Sequence, residues 1–137
     1  YNALLMAWYR YIRYKSPEKL TPLQETDCPH VTVQLPIYNE RYVAERIISR
    51  IARLDYPQKK LQIQVLDDST DDTRKIIQKA ITQHNTSGLN IEHINRPDRA
   101  GYKGGALENG LRSAKGEFIA IFDADFLPSR DFLKQTT

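Results

Sequence analysis

The chain has 137 residues, of which 40% are hydrophobic and 27% are charged, and these values are ordinary for one globular domain. Its one cysteine, Cys28, excludes a disulfide framework within the chain and a cysteine-based zinc cluster. Arg10, Arg13 and Lys15 account for the net charge of +3, because the other lysines and arginines equal the 17 acidic residues in number. We therefore expect no broad nucleic-acid surface.

The first thirty residues differ in composition from the rest of the chain. Residues 1–15 begin apolar, become aromatic and end basic, which is typical of a membrane helix at the point where it leaves the bilayer on the cytoplasmic side. We predict the end of a transmembrane or juxtamembrane helix there, although an amphipathic helix lying on the domain is the alternative. Residues 16–30 contain three prolines and predict a linker. The chain starts at Tyr1 and its last residues complete no element, so we expect a piece of a longer protein.

Strand and helix patterns alternate over residues 31–137, which predicts an α/β fold with a mostly parallel sheet and helices on both faces. The predicted strands cover residues 31–35, 61–66, 91–94 and 118–122. The first predicted helix starts with Asn39 as its cap, the second starts at Ser69 or Thr70, and the third covers residues 104–114 with Leu107 and Leu111 inward. A last helical turn begins at 128–129. The fourth strand is an unbroken apolar run, which predicts that it is buried.

Polar residues follow every predicted strand. Because ligands of open parallel sheets bind beyond the carboxyl ends of the strands, these residues form the predicted site. After the fourth strand come Asp123 and Asp125, one residue apart. Mg²⁺ or Mn²⁺ is the expected guest, because these ions take one or two carboxylates together with substrate phosphates.

A basic, glycine-containing loop follows the third strand. Arg96, Arg99 and Lys103 flank Gly101 at a predicted helix start, where free backbone N–H groups favour anions such as a diphosphate. After the second strand, Asp67 and Asp68 provide acceptors for a nucleobase or ribose, although carboxylates also suit the start of a helix. The spacings of the P-loop and of the GxGxxG loop are absent from the sequence.

Four sequence strings together resemble the family 2 glycosyltransferases, and among them the processive β-glycan synthases of the cellulose-synthase and plant mannan-synthase-like type. The strings are QLPIYNE at 34–40, IQVLDDSTD at 63–71, RAGYKGGAL at 99–107 and FDADF at 122–126. One small departure is Gly104, where such enzymes commonly have alanine, and we expect no consequence. The resemblance implies a Rossmann-like nucleotide-sugar-binding fold of the GT-A type, of which this chain is the N-terminal part.

The resemblance also implies roles for matched positions. It places Asp68 at the uracil or ribose, Tyr38 and Glu40 in the nucleotide pocket, Lys103 near the diphosphate, and the metal at Asp125 most directly. The predicted donor-binding residues are Pro36, Tyr38, Glu40, Asp67, Asp68, Arg99, Lys103 and Asp123, and the predicted metal ligands are Asp123 and Asp125.

The resemblance predicts inverting transfer of a hexose from a nucleotide sugar to a growing β-glycan or to another glycan or lipid acceptor. The donor is UDP-glucose as first choice and GDP-mannose as second, and flanking helices hold such enzymes in the membrane with this domain on the cytoplasmic side. The acidic general base and the Gln-x-x-Arg-Trp acceptor motif of the family are not in this sequence. We therefore expect no catalytic base before Thr137 and no activity of this piece alone.

Two rival hypotheses remain open at this stage. A receiver-like phosphotransfer domain also places acidic residues on neighbouring strand ends around magnesium, but its acidic pair follows the first strand. A non-catalytic nucleotide-binding or assembly module would tolerate loss of the metal pair, and both Asp123 and Asp125 are present.

Overall fold

A computed structural model describes residues 24–85 and 87–137. The predicted membrane-proximal segment 1–15 and the first part of the predicted linker 16–30 lie outside the described residues. Residues 24–30 form a turn without helix or strand, and Cys28 is buried there. Within the described ranges, no helix is both long enough and apolar enough to cross a membrane.

Strands and helices alternate along the described chain, as the sequence predicts. The strands are β1 (Val31–Ile37), β2 (Leu61–Asp67), β3 (Asn90–Asn95) and β4 (Phe118–Ile121). The helices are α1 (Ala44–Ile51), α2 (Thr73–Asn85), α3 (Tyr102–Leu111) and α4 (Phe132–Thr136), and a 3₁₀ turn covers Gln58–Lys60.

The four strands form one parallel sheet in the order β3-β2-β1-β4. Val31 of β1 lies opposite Leu61 of β2 on one side and opposite Phe118 of β4 on the other. The predicted α/β fold with a parallel sheet and flanking helices is confirmed. Since β2 and β4 both neighbour β1, the residues that follow these three strands leave the sheet side by side.

The two faces of the sheet have opposite chemistry. Alternate residues of β1 and β2, such as Val33, Leu35 and Ile63, join the apolar core with Ile47 of α1 and Ile77 of α2, and all five are nearly inaccessible to solvent. Burying each such side chain contributes about 1.5–3 kcal/mol, so this face provides the hydrophobic stability of the domain.

The opposite face of the sheet is polar and carries α3. Gln34 Nε2 donates to Gln64 Oε1 at 3.0 Å, and Gln64 Nε2 donates to Ser113 Oγ at 3.0 Å. A Cβ atom on Gly110 would lie 2.6 Å from Gln34 Nε2, so a larger residue there would displace the buried glutamine side chains on which α3 packs. These hydrogen bonds offset part of the cost of burying the amides, since Gln34 Oε1 is buried without a partner, and they hold α3 in one position on the sheet.

Two burial predictions are wrong. The fourth strand, predicted to be buried, is an edge strand, with Phe118 and Ile121 53% and 50% exposed, because no layer of the described chain covers its outer face. Leu111, predicted to point inward, is 52% exposed. The buried residues of α3 are Ala106 and Gly110, since the close approach to the polar face excludes larger side chains.

Candidate functional site

One cavity of about 380 Å³ lies at the carboxyl ends of β1, β2 and β4, beside the start of α3. Its lining includes every predicted site residue except Asp67, namely Pro36, Tyr38, Glu40, Asp68, Arg99, Lys103, Asp123 and Asp125. Ile37, Leu66, Ala106 and Ala124 supply its apolar walls. The predicted gathering of separate chain segments at one edge of the sheet is therefore present in the structure.

The loops that follow β1 and β2 are bound to each other beside this cavity. The backbone N–H of Asn39 donates to Ser69 Oγ at 3.0 Å, and Asn39 Oδ1 accepts from the N–H of Thr70 at 2.8 Å. Asn39 has φ +53°, a left-handed conformation that asparagine tolerates better than most residues. The prediction that Asn39 caps the first helix is wrong, because that helix begins at Ala44 and Asn39 joins the two loops instead.

Three carboxylates and one amine of the cavity lining are close enough to interact electrostatically. Burial raises the pKa of Glu40, the negative charges of Asp125 and Asp123 raise it further, and Lys103 opposes them. Lys103 Nζ contacts the carboxylate of Asp123. One ammonium cannot balance three carboxylates, so this group of side chains attracts further positive charge.

This acidic group of side chains fits a divalent cation that arrives with a phosphate-bearing ligand. Asp123 and Asp125 are exposed and offer carboxylate oxygens, the ligands that Mg²⁺ and Mn²⁺ prefer. Within the described residues, no group of three or more histidine, cysteine or acidic side chains is close enough to hold a metal by itself. Oxygens from a bound phosphate would complete the coordination, as is usual for Mg²⁺.

Arg99, another residue of the lining, packs against two aromatic rings. The guanidinium carbon of Arg99 lies 3.3 Å from the centroid of the Tyr38 ring and 5.3 Å from that of Tyr102. Arg99 Nε is buried and has no hydrogen-bond partner. A buried N–H without an acceptor costs about 1–3 kcal/mol, so the packing of Arg99 on Tyr38 is held against this cost.

Arg96 does not line the cavity, and its guanidinium binds Asp68 and the backbone of the basic loop. Its Nε donates to Asp68 Oδ1 at 2.9 Å and its Nη2 to Asp68 Oδ2 at 2.5 Å, and Nη1 donates to the carbonyl of Ala100 at 2.7 Å. The hydrogen bond with Asp68 raises the pKa of Arg96. The expectation that Arg96 binds a diphosphate is therefore not supported by its contacts, which instead fix Asp68 and the loop relative to each other.

Asp67 is the predicted donor-binding residue that the structure leaves outside the cavity. Its carboxylate is fully buried and accepts from the N–H of Ser69 at 2.9 Å, from His93 Nε2 at 2.8 Å and from Asn95 Nδ2 at 3.2 Å. Burial pushes the pKa of Asp67 upward, but the hydrogen bonds from His93 and Ser69 outweigh burial and hold it below its usual value. Asp67 positions the turn that presents Asp68.

His93 and Asn95 are the residues that sequence reasoning missed at this site. They alternate along β3, in which Asn95 lies opposite Asp67 of β2. Polar residues at alternate positions of a strand that neighbours a buried carboxylate are the signal that could have identified them.

Residues 32–136 match the Glycosyl transferase family 2 domain. The chain belongs to this family. Glucomannan 4-beta-mannosyltransferase 7 of Arabidopsis thaliana is 37% identical over 131 residues, which are 93% of this chain and 24% of that protein. The chain thus spans about a quarter of the length of such relatives.

Two solved structures are similar to this chain in fold and sequence. The mannosyltransferase PcManGT from Pyrobaculum calidifontis, in complex with GDP-Man and Mn²⁺, is 37% identical with a TM-score of 0.76, over 97% of this chain and 38% of that one. S. aureus TarS 1-349 in complex with UDP is 30% identical with a TM-score of 0.65, over 77% of this chain and 30% of that one. This family 2 chain is therefore similar to glucomannan 4-beta-mannosyltransferases and to a mannosyltransferase whose structure contains GDP-Man and Mn²⁺.

Proposed function

We propose that this chain forms the donor-binding part of a hexosyltransferase, which holds a nucleotide sugar through Mg²⁺ or Mn²⁺ for inverting transfer to a growing β-glycan or to another glycan or lipid acceptor. The observation that carries the proposal is the single cavity that brings together the residues after β1, β2 and β4 and those at the start of α3. Because the chain spans only a fraction of its relatives, the complete transfer is proposed for the longer protein.

GDP-mannose becomes the first candidate donor and UDP-glucose the second, which reverses the order expected from the sequence. The relatives are named as mannosyltransferases, and the PcManGT structure contains GDP-Man and Mn²⁺. The TarS structure contains UDP, so the fold itself accommodates either base. Polysaccharide synthesis of the glucomannan type is the process that these names support.

In the proposed site, Asp123 and Asp125 hold the cation and Lys103 lies beside the phosphates. When bound, the cation neutralises negative charge that develops on the departing diphosphate. Lys103 lies at the start of α3 and contacts Asp123. The first backbone N–H groups of this helix also favour an anion. Asp68, fixed by Arg96, lies at the base or ribose. We assign no residue of the described chain as the general base for the acceptor hydroxyl.

The proposed location is a membrane, with this domain on the cytoplasmic side. The support is the basic and aromatic composition of residues 1–15, which lie outside the described part of the chain. Expression of the longer protein with a tag on this domain would test the topology by protease accessibility from each side of the membrane.

The strand order disfavours the receiver-like alternative. The order β3-β2-β1-β4 is that of a Rossmann-type sheet, whereas receiver domains have the order 2-1-3-4-5. Their acidic pair follows the first strand, and here the acidic residues follow β2 and β4. Incubation with acetyl phosphate and Mg²⁺, followed by mass measurement, should give no phospho-aspartate, and an adduct on Asp68 would restore this alternative.

Calorimetric titration with GDP in the presence and absence of Mn²⁺ tests the proposed function. The wild-type chain and the control Asp27→Ala, which changes an exposed aspartate in the turn before β1, should bind GDP only when Mn²⁺ is present. Asp125→Ala should remove this dependence and weaken binding at least about tenfold, since a carboxylate ligand of the cation is lost. Equal affinities of the Asp125→Ala variant and the wild type would refute the metal role.

A further inference from the structure

We propose that Lys103 and the cation compete for Asp123, and that Lys103 leaves this carboxylate for the donor's phosphates when the cation is bound. This inference rests on the proposed function, from which it takes the cation and the phosphates, and it adds a coupling between the binding of the two. It is carried by the ion pair between Lys103 and Asp123, by the exposure of both side chains, and by the unequal pairing of Asp123 and Asp125.

The ion pair places an ammonium on one of the two proposed cation ligands. Lys103 Nζ contacts Oδ1 of Asp123. None of the ion pairs in the described part of the chain involves Asp125. A cation that binds both carboxylates must therefore either share Asp123 with Lys103 or replace Lys103 there.

The charges favour replacement over sharing. An ammonium and a divalent cation on one carboxylate repel each other, and at about 5 Å in water this repulsion weakens binding by roughly tenfold. The ion pair resists replacement only weakly, because the side chains of Lys103 and Asp123 are 52% and 59% exposed. Exposed pairs of this kind change an equilibrium by about fivefold or less.

The neighbouring ion pair between Arg96 and Asp68 provides an internal comparison. Its side chains are only 9% and 7% exposed, and two hydrogen bonds of 2.9 and 2.5 Å join them. Separation of that pair would leave buried charges without partners, so it is a fixed part of the loop. The pair between Lys103 and Asp123 can separate without leaving a buried charge unpaired.

The phosphates provide a second partner for Lys103 within reach of its side chain. Lys103 belongs to the first turn of α3, where backbone N–H groups also favour an anion. Lysine has a flexible four-carbon stem and three rotatable donors, so its ammonium can reach a phosphate at the start of its own helix by side-chain rotation. Since Lys103 is released from Asp123 when the cation is bound, the cation and the phosphates should each strengthen the binding of the other.

Titration with Mn²⁺ in the absence of nucleotide tests the competition. The electron paramagnetic resonance signal of free Mn²⁺ is followed in the wild-type chain, in Lys103→Met and in Lys75→Met. Lys75 is the matched control, because it also pairs with an exposed aspartate, Asp72, and does not line this cavity. Circular dichroism confirms that each variant is folded.

We expect Lys103→Met to bind Mn²⁺ about three- to tenfold more tightly than the wild type, because both the competing ion pair and the repulsion are lost. Lys75→Met should bind Mn²⁺ like the wild type. With nucleotide present, the same Lys103→Met substitution should weaken GDP binding, so its two effects have opposite signs. Unchanged or weaker Mn²⁺ binding by Lys103→Met would overturn the inference.

Spectra of the lysine ammonium groups distinguish an exchange of partners from simple repulsion. Mg²⁺, which is diamagnetic, and then GDP are added to the wild-type chain while ¹H–¹⁵N correlation spectra are recorded. The Lys103 Nζ signal, assigned by its loss in Lys103→Met, should shift on addition of Mg²⁺ and again on addition of GDP, while the Lys75 signal stays in place. A Lys103 signal that does not respond to Mg²⁺ means that the ammonium stays on Asp123, and the inference is then wrong.

The Asp125→Ala variant separates this inference from the proposed function. If Asp125→Ala binds Mn²⁺ as tightly as the wild type, the proposed cation site itself is wrong. If Asp125→Ala loses Mn²⁺ binding while Lys103→Met leaves it unchanged, the cation site stands and only the competition by Lys103 is refuted.

Discussion

Two adjacent glycines at the start of α3 have opposite surroundings, and this makes them a matched pair. A Cβ atom on Gly105 would lie 1.9 Å from the carbonyl oxygen of Ala100 and 2.7 Å from Nη1 of Arg96. A Cβ atom on Gly104 would meet no atom within 4 Å. Alanine at Gly105 therefore forces the backbone of the basic loop away from the helix, whereas alanine at Gly104 projects into open space.

The structure allows the size of each effect to be estimated. Overpacking typically costs about 1–3 kcal/mol, and the upper end applies at Gly105 because the obstructing atom is backbone and must move by about 1 Å. Replacement of a helical glycine by alanine recovers up to about 1 kcal/mol at either position. Gly105→Ala should therefore lower the free energy of unfolding by about 1–2 kcal/mol, and Gly104→Ala should raise it by up to about 1 kcal/mol.

Urea denaturation of both variants and the wild type measures this difference, and titration with GDP and Mn²⁺ measures its functional consequence. Displacement of Ala100 breaks its hydrogen bond with Arg96 and moves Arg99 and Lys103 out of position. Gly105→Ala should then lose nucleotide affinity while Gly104→Ala keeps it. Equal unfolding free energies for the two variants, within about 0.5 kcal/mol, would contradict the reasoning.

Two further predictions concern two charged residues, Lys103 at the start of α3 and Asp67 at the end of β2. Lys103→Met should weaken GDP binding in the presence of Mn²⁺ by about three- to tenfold, because an ammonium beside the phosphates is lost and solvent screening limits its contribution. Calorimetry measures this affinity. Guanosine lacks phosphates, so its binding should be the same in the variant and the wild type. Asp67→Asn should lower the free energy of unfolding by about 2 kcal/mol at pH 7. The asparagine NH₂ group is itself a donor and cannot accept the hydrogen bonds that the Ser69 N–H and His93 give to the carboxylate. The hydrogen bonds hold the pKa of Asp67 below its usual value of 3.8, so its contribution is complete above pH 4 and is lost as pH falls further. Urea denaturation at pH 7, 5 and 3.5 should show the difference shrinking only at the lowest pH, and a constant difference would exclude this role.

Periodicity and strand-end chemistry predict most of the sheet and most of the cavity lining. The alternation of apolar and polar residues in β1 and over residues 61–65 of β2 indicates one apolar face of the sheet, and the carboxyl ends of parallel strands necessarily meet at one edge. These two rules bring Tyr38, Asp68 and Asp123 together without knowledge of any side-chain contact. The burial of β4 could not be predicted, because an apolar run does not indicate whether a strand is central or at an edge.

The polar layer under α3 was beyond sequence reasoning for a different reason. Gln34, Gln62 and Gln64 alternate with apolar residues, and that pattern ordinarily predicts a face open to solvent. Here the amides are buried and bonded to one another and to Ser113. The difference depends on Gly110, whose missing side chain admits the helix, and such a complementary contact between distant positions leaves no periodic signal.

The different fates of Asp67 and Asp68 follow from the geometry of a strand that is ending. Asp67 is still paired with β3 and faces the apolar side of the sheet. A buried carboxylate is stable there only if donors satisfy its oxygens. His93, Asn95 and the Ser69 N–H are those donors. Asp68 is the first residue beyond the strand and turns to the cavity, where Arg96 holds it. An acidic pair at a strand end thus combines one carboxylate that fixes the turn with one that meets the ligand, and the alternation of the strand determines which residue takes which role.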